Sequence, residues 1–375
     1  MNTSVEQHGG NSVAEVLHRH NIKWIFTLCG GHISPILTGC NTLGIRVIDV
    51  RHESTAVFAA DSISRLSGII GVAAVTAGPG LTNTITAIKN AQMAQVPVLI
   101  LGGAAATVLK DRGSLQDIDH LSVVESITKY AKTIKRVKDL QPSLEEAIST
   151  ATSGVPGPVY LEIPVDLLYP ESLVREWYGL KSIGKSMPWW MTRYLNWNVN
   201  RIFKDKNKTF PKNTKIEDAQ DTSLHIHRLS EMLQSAKQPV LLIGSQALIN
   251  PTQYEELADA VKNLNTPTFV SGMARGLLSK SYLPIFRHER TKALKEADLV
   301  ILAGVPCDFR LDYGRVINHK AKIFSINLSR NDLYLNRKPT KAILTSPGTF
   351  LIDWSNLGKN NSDSKWVNWQ EQLAI

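Results

Sequence analysis

Short, uninterrupted apolar runs alternate along this chain with amphipathic segments of helical period, and this alternation limits the fold more than any other feature. In the first part of the sequence the apolar runs cover residues 23–27, 45–50, 71–76, 96–101 and 159–163. Continuous apolar strands are typical of parallel sheets buried on both faces, with helices as the crossover connections. The pattern predicts an α/β fold with a doubly wound parallel sheet.

The same alternation resumes later in the chain. Helices are predicted over residues 13–19, 53–66, 81–93, 226–236 and 254–264, and further strands over residues 240–243, 268–271, 299–303 and 323–327. The intervening stretch is polar, rich in Lys and Asn, and reads as a linker. We predict a first domain over residues 1–170, a linker over 171–223, a second, central Rossmann-like domain over 224–360 and a polar tail over 361–375.

The charge and cysteine content exclude several classes of function. A formal net charge of +9 favours acidic surfaces or anionic ligands. The basic residues are scattered, however, and form no stripe interleaved with aromatics, so no nucleic-acid partner is predicted. Cys29, Cys40 and Cys307 fit neither a zinc site nor a disulfide framework, which indicates a reducing compartment. The polar N-terminus and the short apolar runs predict neither a secretory signal nor a membrane span.

Two glycine turns stand at the ends of predicted strands, at residues 30–32 (Gly-Gly-His) and 78–80 (Gly-Pro-Gly). In open α/β sheets, ligands bind at the carboxyl ends of strands, where glycine allows close approach and exposes helix N-terminal amides. Tight turns also need glycine without any ligand. Each turn taken singly leaves both interpretations open.

Glu53 directly follows the strand at 45–50 and opens an alanine-rich helix. The helix dipole favours a glutamate in the first turn, so a purely structural role is a strong alternative to a catalytic one.

In combination, these motifs resemble the pyrimidine-binding domain of thiamine diphosphate enzymes of the acetolactate synthase group. The matching segments, in order, are Arg51-His52-Glu53, Ala59-Ala60, residues 76–83, residues 113–116 and residues 153–164. The strings at residues 26–35 and 272–277 resemble the 2-hydroxyacyl-CoA lyase branch of that family. The resemblance covers nearly the whole chain.

The resemblance implies that Glu53 hydrogen-bonds the aminopyrimidine ring of thiamine diphosphate and favours its imino tautomer, which accepts the thiazolium proton. Such a carboxyl group needs a largely apolar setting. The neighbours Ala56, Val57 and Phe58 are compatible with that requirement. The predicted cofactor-binding residues are Glu53, Gly30, Gly31, Gly78, Pro79 and Asn83.

Two further side chains are candidate catalytic residues by the same resemblance. Gln116 matches a polar residue on the substrate side of the cofactor, although a surface-loop glutamine is the alternative. His32 is placed to contact substrate and suits proton transfer near neutral pH, with a structural histidine as the alternative. Asn83 also has a second interpretation, as a cap of its turn.

The implied activity is that of a lyase or carboligase, converting a 2-hydroxyacyl-CoA to an aldehyde and formyl-CoA. A small-molecule or acyl-CoA substrate is expected. The resemblance also implies a homodimer or tetramer, or pairing with a full-length homologue. In the family, Mg²⁺ and the diphosphate are held by a Gly-Asp-Gly motif and an Asn of a third domain. The 375 residues contain no such motif, so no metal ligand is assigned here. We expect these residues to be inactive alone; a non-catalytic dimerisation or regulatory module is the alternative.

The central domain of the family binds FAD in some members and a nucleotide or CoA portion in others. This sequence has no G-x-G-x-x-G fingerprint, which argues against NAD. Candidate contacts are Gly244, Ser245, Arg275 and residues 308–310 (Asp-Phe-Arg). Asn327 and Ser329 stand where the family often has acidic residues. FAD or nucleotide binding and a purely structural domain therefore both remain open.

An aromatic and basic segment lies in the predicted linker and consists of Trp189, Trp190, Tyr194, Trp197 and Phe203 with Lys185, Arg193, Arg201 and Lys204. Such a composition suits a membrane surface or packing between domains. The family resemblance implies the cytosolic face of the endoplasmic reticulum, with the cytoplasm as the alternative.

Residues 179–186 satisfy the P-loop pattern, but neither an apolar strand before them nor a helix after them is predicted. We interpret this match as coincidental.

Overall fold

A computed structural model describes residues 7–180, 187–206, 222–278, 285–357 and 365–374. The chain divides into two compact units, Met1–Glu217 and Asp218–Ile375. Each unit contains one six-stranded sheet in which every strand pairing is parallel. The predicted α/β class with two parallel sheets is confirmed.

The sheet of the first unit has the strand order β2-β1-β3-β4-β6-β5. Its strands are β1 (Trp24–Leu28), β2 (Arg46–Asp49), β3 (Gly71–Val75), β4 (Val98–Ala104), β5 (Tyr130–Thr133) and β6 (Val159–Pro164). Its helices are α1 (Gly9–Arg19), α2 (Ser34–Thr42), α3 (Glu53–Ser67), α4 (Pro79–Thr82), α5 (Ile85–Met93), α6 (His120–Val124), α7 (Leu140–Thr152), α8 (Val165–Leu168), α9 (Glu171–Trp177) and α10 (Trp189–Phe203).

Both faces of this sheet are covered by apolar clusters. Successive strand residues point to opposite faces, so each strand contributes to both clusters. Along β1, Ile25 belongs to one apolar cluster and Phe26 to another, and along β3 the successive residues Val72 and Ala73 divide in the same way. This division explains why the strands read as continuous apolar runs.

The sheet of the second unit has the order β12-β11-β10-β7-β8-β9. Its strands are β7 (Pro239–Ile243), β8 (Thr268–Val270), β9 (Ile285–Phe286), β10 (Leu299–Ala303), β11 (Lys322–Asn327) and β12 (Lys341–Leu344). Its helices are α11 (Ser223–Ser235), α12 (Tyr254–Leu264), α13 (Arg290–Glu296), α14 (Arg330–Leu333), α15 (Pro347–Leu357) and α16 (Val367–Ala374). The central strands β7 and β10 are buried along their whole length.

Three edge strands, β5, β9 and β12, have no counterpart among the predicted elements. Every residue of β5 is only half-buried, β12 contains one fully buried residue, and β9 is two residues long. These three strands therefore lack the continuous apolar run that indicates a central strand. The region predicted as one helix over residues 81–93 is instead divided between two helices, α4 and α5.

The predicted linker is partly a component of the first unit. Val174 of α9 and Val199 and Ile202 of α10 are fully buried in the apolar cluster of that unit. The Tyr178 hydroxyl also donates a 2.8 Å hydrogen bond to the buried carboxylate of Asp166. The division between the units falls between residues 217 and 218, inside the predicted linker. Residues 181–186 and 207–221 of the predicted linker lie outside the described residues.

The segment predicted as a polar tail contains α16, which packs on the second unit. Trp366 and Trp369 are buried, and their indole N–H groups donate to the carbonyl oxygens of Ala236 and Pro239. This short helix was not predicted, because its few apolar residues lie among polar ones. Residues 361–364 and 375 lie outside the described residues.

Most of the P-loop match, residues 181–186, lies outside the described residues as well. The segment that precedes the match is α9, a helix, where a P-loop needs a strand.

Candidate cofactor-activating site

The candidate site residues of the first unit follow neighbouring strands at one edge of the sheet, the one formed by the carboxyl ends of the strands. The strand order places the carboxyl ends of β2, β1, β3, β4 and β6 side by side. His32 follows β1, Glu53 follows β2, and Gly78 follows β3. This edge is where open α/β sheets bind ligands.

Glu53 is the first residue of α3 and is 7% exposed. The preceding residue, His52, caps the helix, because its side chain accepts a hydrogen bond from the Ser54 N–H. The Asn83 side-chain amide donates a 2.9 Å hydrogen bond to Glu53 Oε2. The structure therefore places a buried carboxylate at a helix N-terminus and fixes its orientation with a residue from a different strand–helix connection.

The surroundings of Glu53 agree in part with the expected apolar setting. Ala56 and Val57 are fully buried, whereas Phe58 is 40% exposed and lies at the surface. The buried apolar neighbours of Glu53 along α3 are thus Ala56 and Val57 and not Phe58.

Gly78 and Gln116 are in close contact. Gly78 has φ +61°, and a Cβ atom at this position would lie 2.9 Å from Gln116 Cβ. Gln116 is half-buried and also has a left-handed backbone, with φ +62°. Pro79 then starts α4, where its fixed φ is favourable, and Asn83 ends it. The loop that carries Gln116 therefore rests on a turn that requires glycine.

His32 and Gly30 both contact Thr76, at the end of β3. A Cβ atom at Gly30 would lie 2.6 Å from Thr76 Cβ, and His32 Nδ1 lies 3.1 Å from Thr76 Oγ1. Burial and the proximity of His120 lower the pKa of His32, which favours the neutral ring. Gly31 is exposed, has open space around it, and its carbonyl accepts a 3.0 Å hydrogen bond from Tyr169.

A buried pair at this edge, His120 and Glu162, was not among the predicted site residues. His120 Nε2 lies 2.8 Å from the Gly78 nitrogen, and His120 Nδ1 lies 2.7 Å from Glu162 Oε2. Burial acts to raise the pKa of Glu162, but hydrogen bonds from His120 and Thr133 and the charge of Lys110 outweigh it and hold the pKa below its usual value. A charged residue within the apolar run 159–163 was the available sequence signal.

The predicted residues thus form three groups: Glu53 with Asn83, Gly78 with Gln116, and His32 with Gly30. Among the described residues, no hydrogen bond joins Glu53 to Gln116 or to His32. The three groups share an edge of the sheet and are linked through β3, because Thr76, Gly78 and Asn83 all follow that strand.

In the second unit, a cavity of about 870 Å³ lies beside β8 and β9. Arg275, Arg287 and Arg290 contribute to its lining, together with His288 and Glu289. Of the other predicted contacts, the Arg310 guanidinium is paired with Asp308, with nitrogen–oxygen distances of 2.6 and 3.0 Å.

Further predicted contacts in this unit serve local structure. The Ser245 hydroxyl accepts a hydrogen bond from the Met273 N–H, and a Cβ atom at Gly244 would lie 2.2 Å from the Gly304 carbonyl oxygen. Asn327 is buried and accepts from the Ser329 N–H. Of the residues predicted for the central domain, Arg275 is the one that lines the cavity.

Two further properties concern metals and membranes. Within the part of the chain that the structure describes, no group of three or more His, Cys, Asp or Glu side chains is arranged to hold a metal ion. None of the helices described there combines the length and the hydropathy needed to cross a bilayer.

Comparison with known families identifies the class of protein to which this fold and this site belong. Residues 7–123 match the N-terminal TPP binding domain of thiamine pyrophosphate enzymes, and residues 226–353 match their central domain. The chain therefore belongs to the thiamine diphosphate enzymes and carries these two domains of the family. The resemblance inferred from the sequence motifs is confirmed.

Individual relatives narrow the similarity further. The chain is 47% identical to 2-hydroxyacyl-CoA lyase 2 of Danio rerio over 95% of its own length, and 46% identical to the Homo sapiens protein of that name over 98%. A probable acetolactate synthase of Mycobacterium bovis is 32% identical over 84% of the chain. The chain spans 58% and 59% of the length of the two vertebrate relatives and 52% of the bacterial one.

The described residues fit the pyrimidine end of the family's cofactor. The observation that decides this is Glu53: its side chain is buried at the start of α3, and its carboxylate accepts a hydrogen bond from Asn83. At Gly30 and at Gly78, which follow strands, a Cβ atom would collide with neighbouring protein atoms. The backbone of Gly30 packs closely against Thr76, and that of Gly78 against Gln116.

Proposed function

We propose that this chain supplies the cofactor-activating half of a thiamine diphosphate-dependent lyase or carboligase of the 2-hydroxyacyl-CoA lyase type. The observation that carries the proposal is the buried Glu53 carboxylate held by Asn83 at 2.9 Å. The identity to proteins named 2-hydroxyacyl-CoA lyase 2 supports the choice of substrate class.

The proposed reaction breaks the bond between the carbonyl carbon and the hydroxyl-bearing carbon of a 2-hydroxyacyl-CoA. The hydroxyl-bearing carbon becomes an aldehyde, and the carbonyl carbon takes up a proton and leaves as formyl-CoA, so the products contain all atoms of the substrate. Bound thiamine diphosphate supplies the electron sink for the broken bond.

The side chains of this chain would bind and orient the reactants. Glu53 holds a hydrogen bond to the pyrimidine ring, Gly78 and Gly30 allow close approach of the backbone, and Asn83 orients the carboxylate. On the substrate side, Gln116 offers an amide and His32 a neutral imidazole that can accept a proton. The lowered pKa of His32, caused by burial and then by His120, keeps that imidazole neutral at pH 7.

A complementation experiment tests the proposal with this chain as it stands. We would co-express it with the zebrafish relative whose matching glutamate is replaced by Gln, and purify mixed assemblies through two different tags. In the family, one subunit provides the pyrimidine domain and another the diphosphate domain, so this chain is expected to restore cleavage of 2-hydroxyacyl-CoA. Glu53→Gln should abolish the restoration.

The matched control is Glu176→Gln, because Glu176 is an exposed glutamate on α9 and is not among the predicted site residues. It should restore activity as the unmodified chain does. Assemblies that form but stay inactive with Glu53 present would overturn the proposed catalytic role. The 375 residues by themselves are expected to show no turnover, and measurable turnover by the purified chain would contradict that part.

The alternative is a non-catalytic dimerisation or regulatory module that pairs with a full-length homologue. This alternative predicts that titrating the chain into the unmodified relative changes its rate equally with Glu53 and with Gln at this position. The catalytic proposal predicts that the change depends on Glu53.

A third candidate is binding of a nucleotide or a CoA portion by the central domain. The cavity beside β8 and β9, with Arg275, Arg287 and Arg290 in its lining, favours it. Arginine suits phosphate groups, which it grips with two parallel hydrogen bonds. Calorimetric titration with CoA tests this candidate: binding should survive Glu53→Ala and weaken in Arg287→Ala. Unchanged binding in Arg287→Ala would argue against the cavity.

We also propose that α10 contacts a membrane surface, in line with the endoplasmic-reticulum location expected from the family resemblance. Trp189, Trp190 and Trp197 are 76%, 57% and 58% exposed, although they are large aromatic side chains. The Arg201 guanidinium lies 5.3 Å from the centre of the Trp197 ring. Exposed Trp beside basic residues is typical of helices that lie in a membrane interface.

A further inference from the structure

The ring of His120 is fully engaged by protein groups on both sides. The side chain is 1% exposed at the start of α6. Nε2 lies 2.8 Å from the Gly78 backbone nitrogen, and Nδ1 lies 2.7 Å from Glu162 Oε2. His120 therefore joins the turn after β3 to strand β6, with β4 between these two strands in the sheet.

These contacts determine which nitrogen carries the proton. A backbone N–H can only donate, so Nε2 must accept from Gly78 and carries no hydrogen. In the neutral ring the proton is then on Nδ1, which donates to Glu162. Glu162 is suited to accept, since hydrogen bonds and Lys110 hold its carboxyl ionised in spite of its burial. Each partner thus requires the same tautomer.

The group that His120 holds is the turn on which Gln116 rests. Gly78 has φ +61° and ψ −115°, a conformation open to glycine but not to other residues. Gln116 has φ +62°, a left-handed conformation that a residue other than glycine rarely adopts without support. Gly78 lies against the Cβ and the carbonyl oxygen of Gln116. The Gly78 N–H donates to His120, four positions after Gln116, and this hydrogen bond ties the two segments together.

We propose that His120 is a positioning residue: through a tautomer fixed by Glu162, it holds the Gly78 turn and the Gln116 loop in one arrangement before any ligand binds. The inference rests on the proposed function only in that Gly78 and Gln116 are assigned to the site. It adds a pair of residues, His120 and Glu162, that act through the backbone and do not contact substrate.

Nitrogen-15 NMR of the 375-residue chain labelled at histidine tests the tautomer directly. We expect one ring, assigned by its loss in His120→Gln, to show a proton bound to Nδ1 and none on Nε2. A proton on Nε2, or an average of the two tautomers, would overturn the proposal. The tautomer is read from the unmodified chain, and the variant serves only to assign the signal.

Hydrogen exchange of the Gly78 amide tests the positioning role. His120→Ala should accelerate this exchange by roughly tenfold or more, since the amide loses a buried acceptor. His120→Gln, whose Oε1 can still accept at the position of Nε2, should retain most of the protection. The increase should be confined to Gly78 and residues 113–119; uniform acceleration across β3, β4 and β6 would indicate a merely structural role and overturn the proposal.

The two proposals fail separately. If the chain shows the Nδ1 tautomer and Glu53 proves dispensable in the complementation assay, the proposed function is wrong and the role of His120 stands. If Glu53 is required but His120 shows the other tautomer, the proposed function stands and the positioning role is wrong.

Discussion

Asn83 donates a 2.9 Å hydrogen bond to the carboxylate of Glu53, although the two residues are 30 positions apart in the chain. Asn83 ends the short helix α4 after β3, and Glu53 begins α3 after β2. In the sheet, β1 lies between these two strands. The orientation of the proposed activating carboxylate therefore depends on a residue two strands away.

Asn83→Asp is expected to destabilise the protein in a pH-dependent way. A second carboxylate beside the buried Glu53 raises the pKa of one of the pair in the folded state, so folding takes up a proton and becomes less favourable as the pH rises. We expect a loss of about 1–2 kcal/mol in the free energy of unfolding at pH 7.5, and a smaller loss at pH 5. Urea unfolding at both pH values measures it.

Asn90→Asp is the matched control, since Asn90 is exposed on α5 and has no carboxylate partner among the described residues. Equal losses for the two variants at pH 7.5 would contradict the expected repulsion at Glu53.

Gly78→Ala and Gly31→Ala are expected to differ sharply, although both glycines belong to the predicted site. At Gly78, φ is +61° and a Cβ atom would lie 2.9 Å from Gln116 Cβ, so alanine is strained and crowded. At Gly31, a Cβ atom would meet open space. Gly78→Ala should cost about 1–3 kcal/mol, and Gly31→Ala less than about 0.5 kcal/mol. Thermal unfolding of the two variants decides, and a neutral Gly78→Ala would contradict the observed conformation.

The contribution of Glu162 to the stability of the folded protein should be lost in acid. Its pKa is lowered in the folded state, as burial is outweighed by the hydrogen bonds of His120 and Thr133 and by Lys110. A carboxyl whose folded pKa lies below its unfolded value of 4.5 contributes stability above pH 4.5, and this contribution is lost as the pH falls through the folded pKa. In Glu162→Gln, the free energy of unfolding should therefore fall less steeply below pH 4.5.

Denaturant unfolding at a series of pH values measures that slope. Glu176→Gln, an exposed counterpart, should leave the slope unchanged. A steeper acid loss in Glu162→Gln than in the unmodified chain would show that the pKa is shifted in the opposite direction.

The aromatic face of α10 should bind lipid vesicles. Trp189→Ala is expected to weaken co-sedimentation with vesicles containing anionic lipid by about tenfold, because burying one large aromatic side chain contributes roughly 1.5–3 kcal/mol. Phe309→Ala, at an exposed aromatic residue of the second unit, is the control and should have little effect. Equal binding by all three proteins, or no binding by the unmodified chain, would contradict the membrane proposal.

The central strands and the position of Glu53 could be predicted from the sequence, because both depend on neighbouring residues. A buried parallel strand such as β10 is a continuous apolar run, and Glu53 directly follows such a run. The half-buried edge strand β5 has no comparable signal. Residues 171–223 were predicted as a linker because their composition is polar overall, although single residues such as Ile202 are fully buried.

The sequence by itself determined the two parallel α/β domains, the glycine turns and the residue types offered at the site. Only the tertiary structure decided which of these residues meet. Glu53 reaches Asn83 across 30 positions, and His120 reaches both Gly78 and Glu162 across 42 positions each. These pairs form because the strand order brings distant strand ends to one edge, and the order of strands in a sheet is fixed by packing of the whole unit rather than by local residue preference.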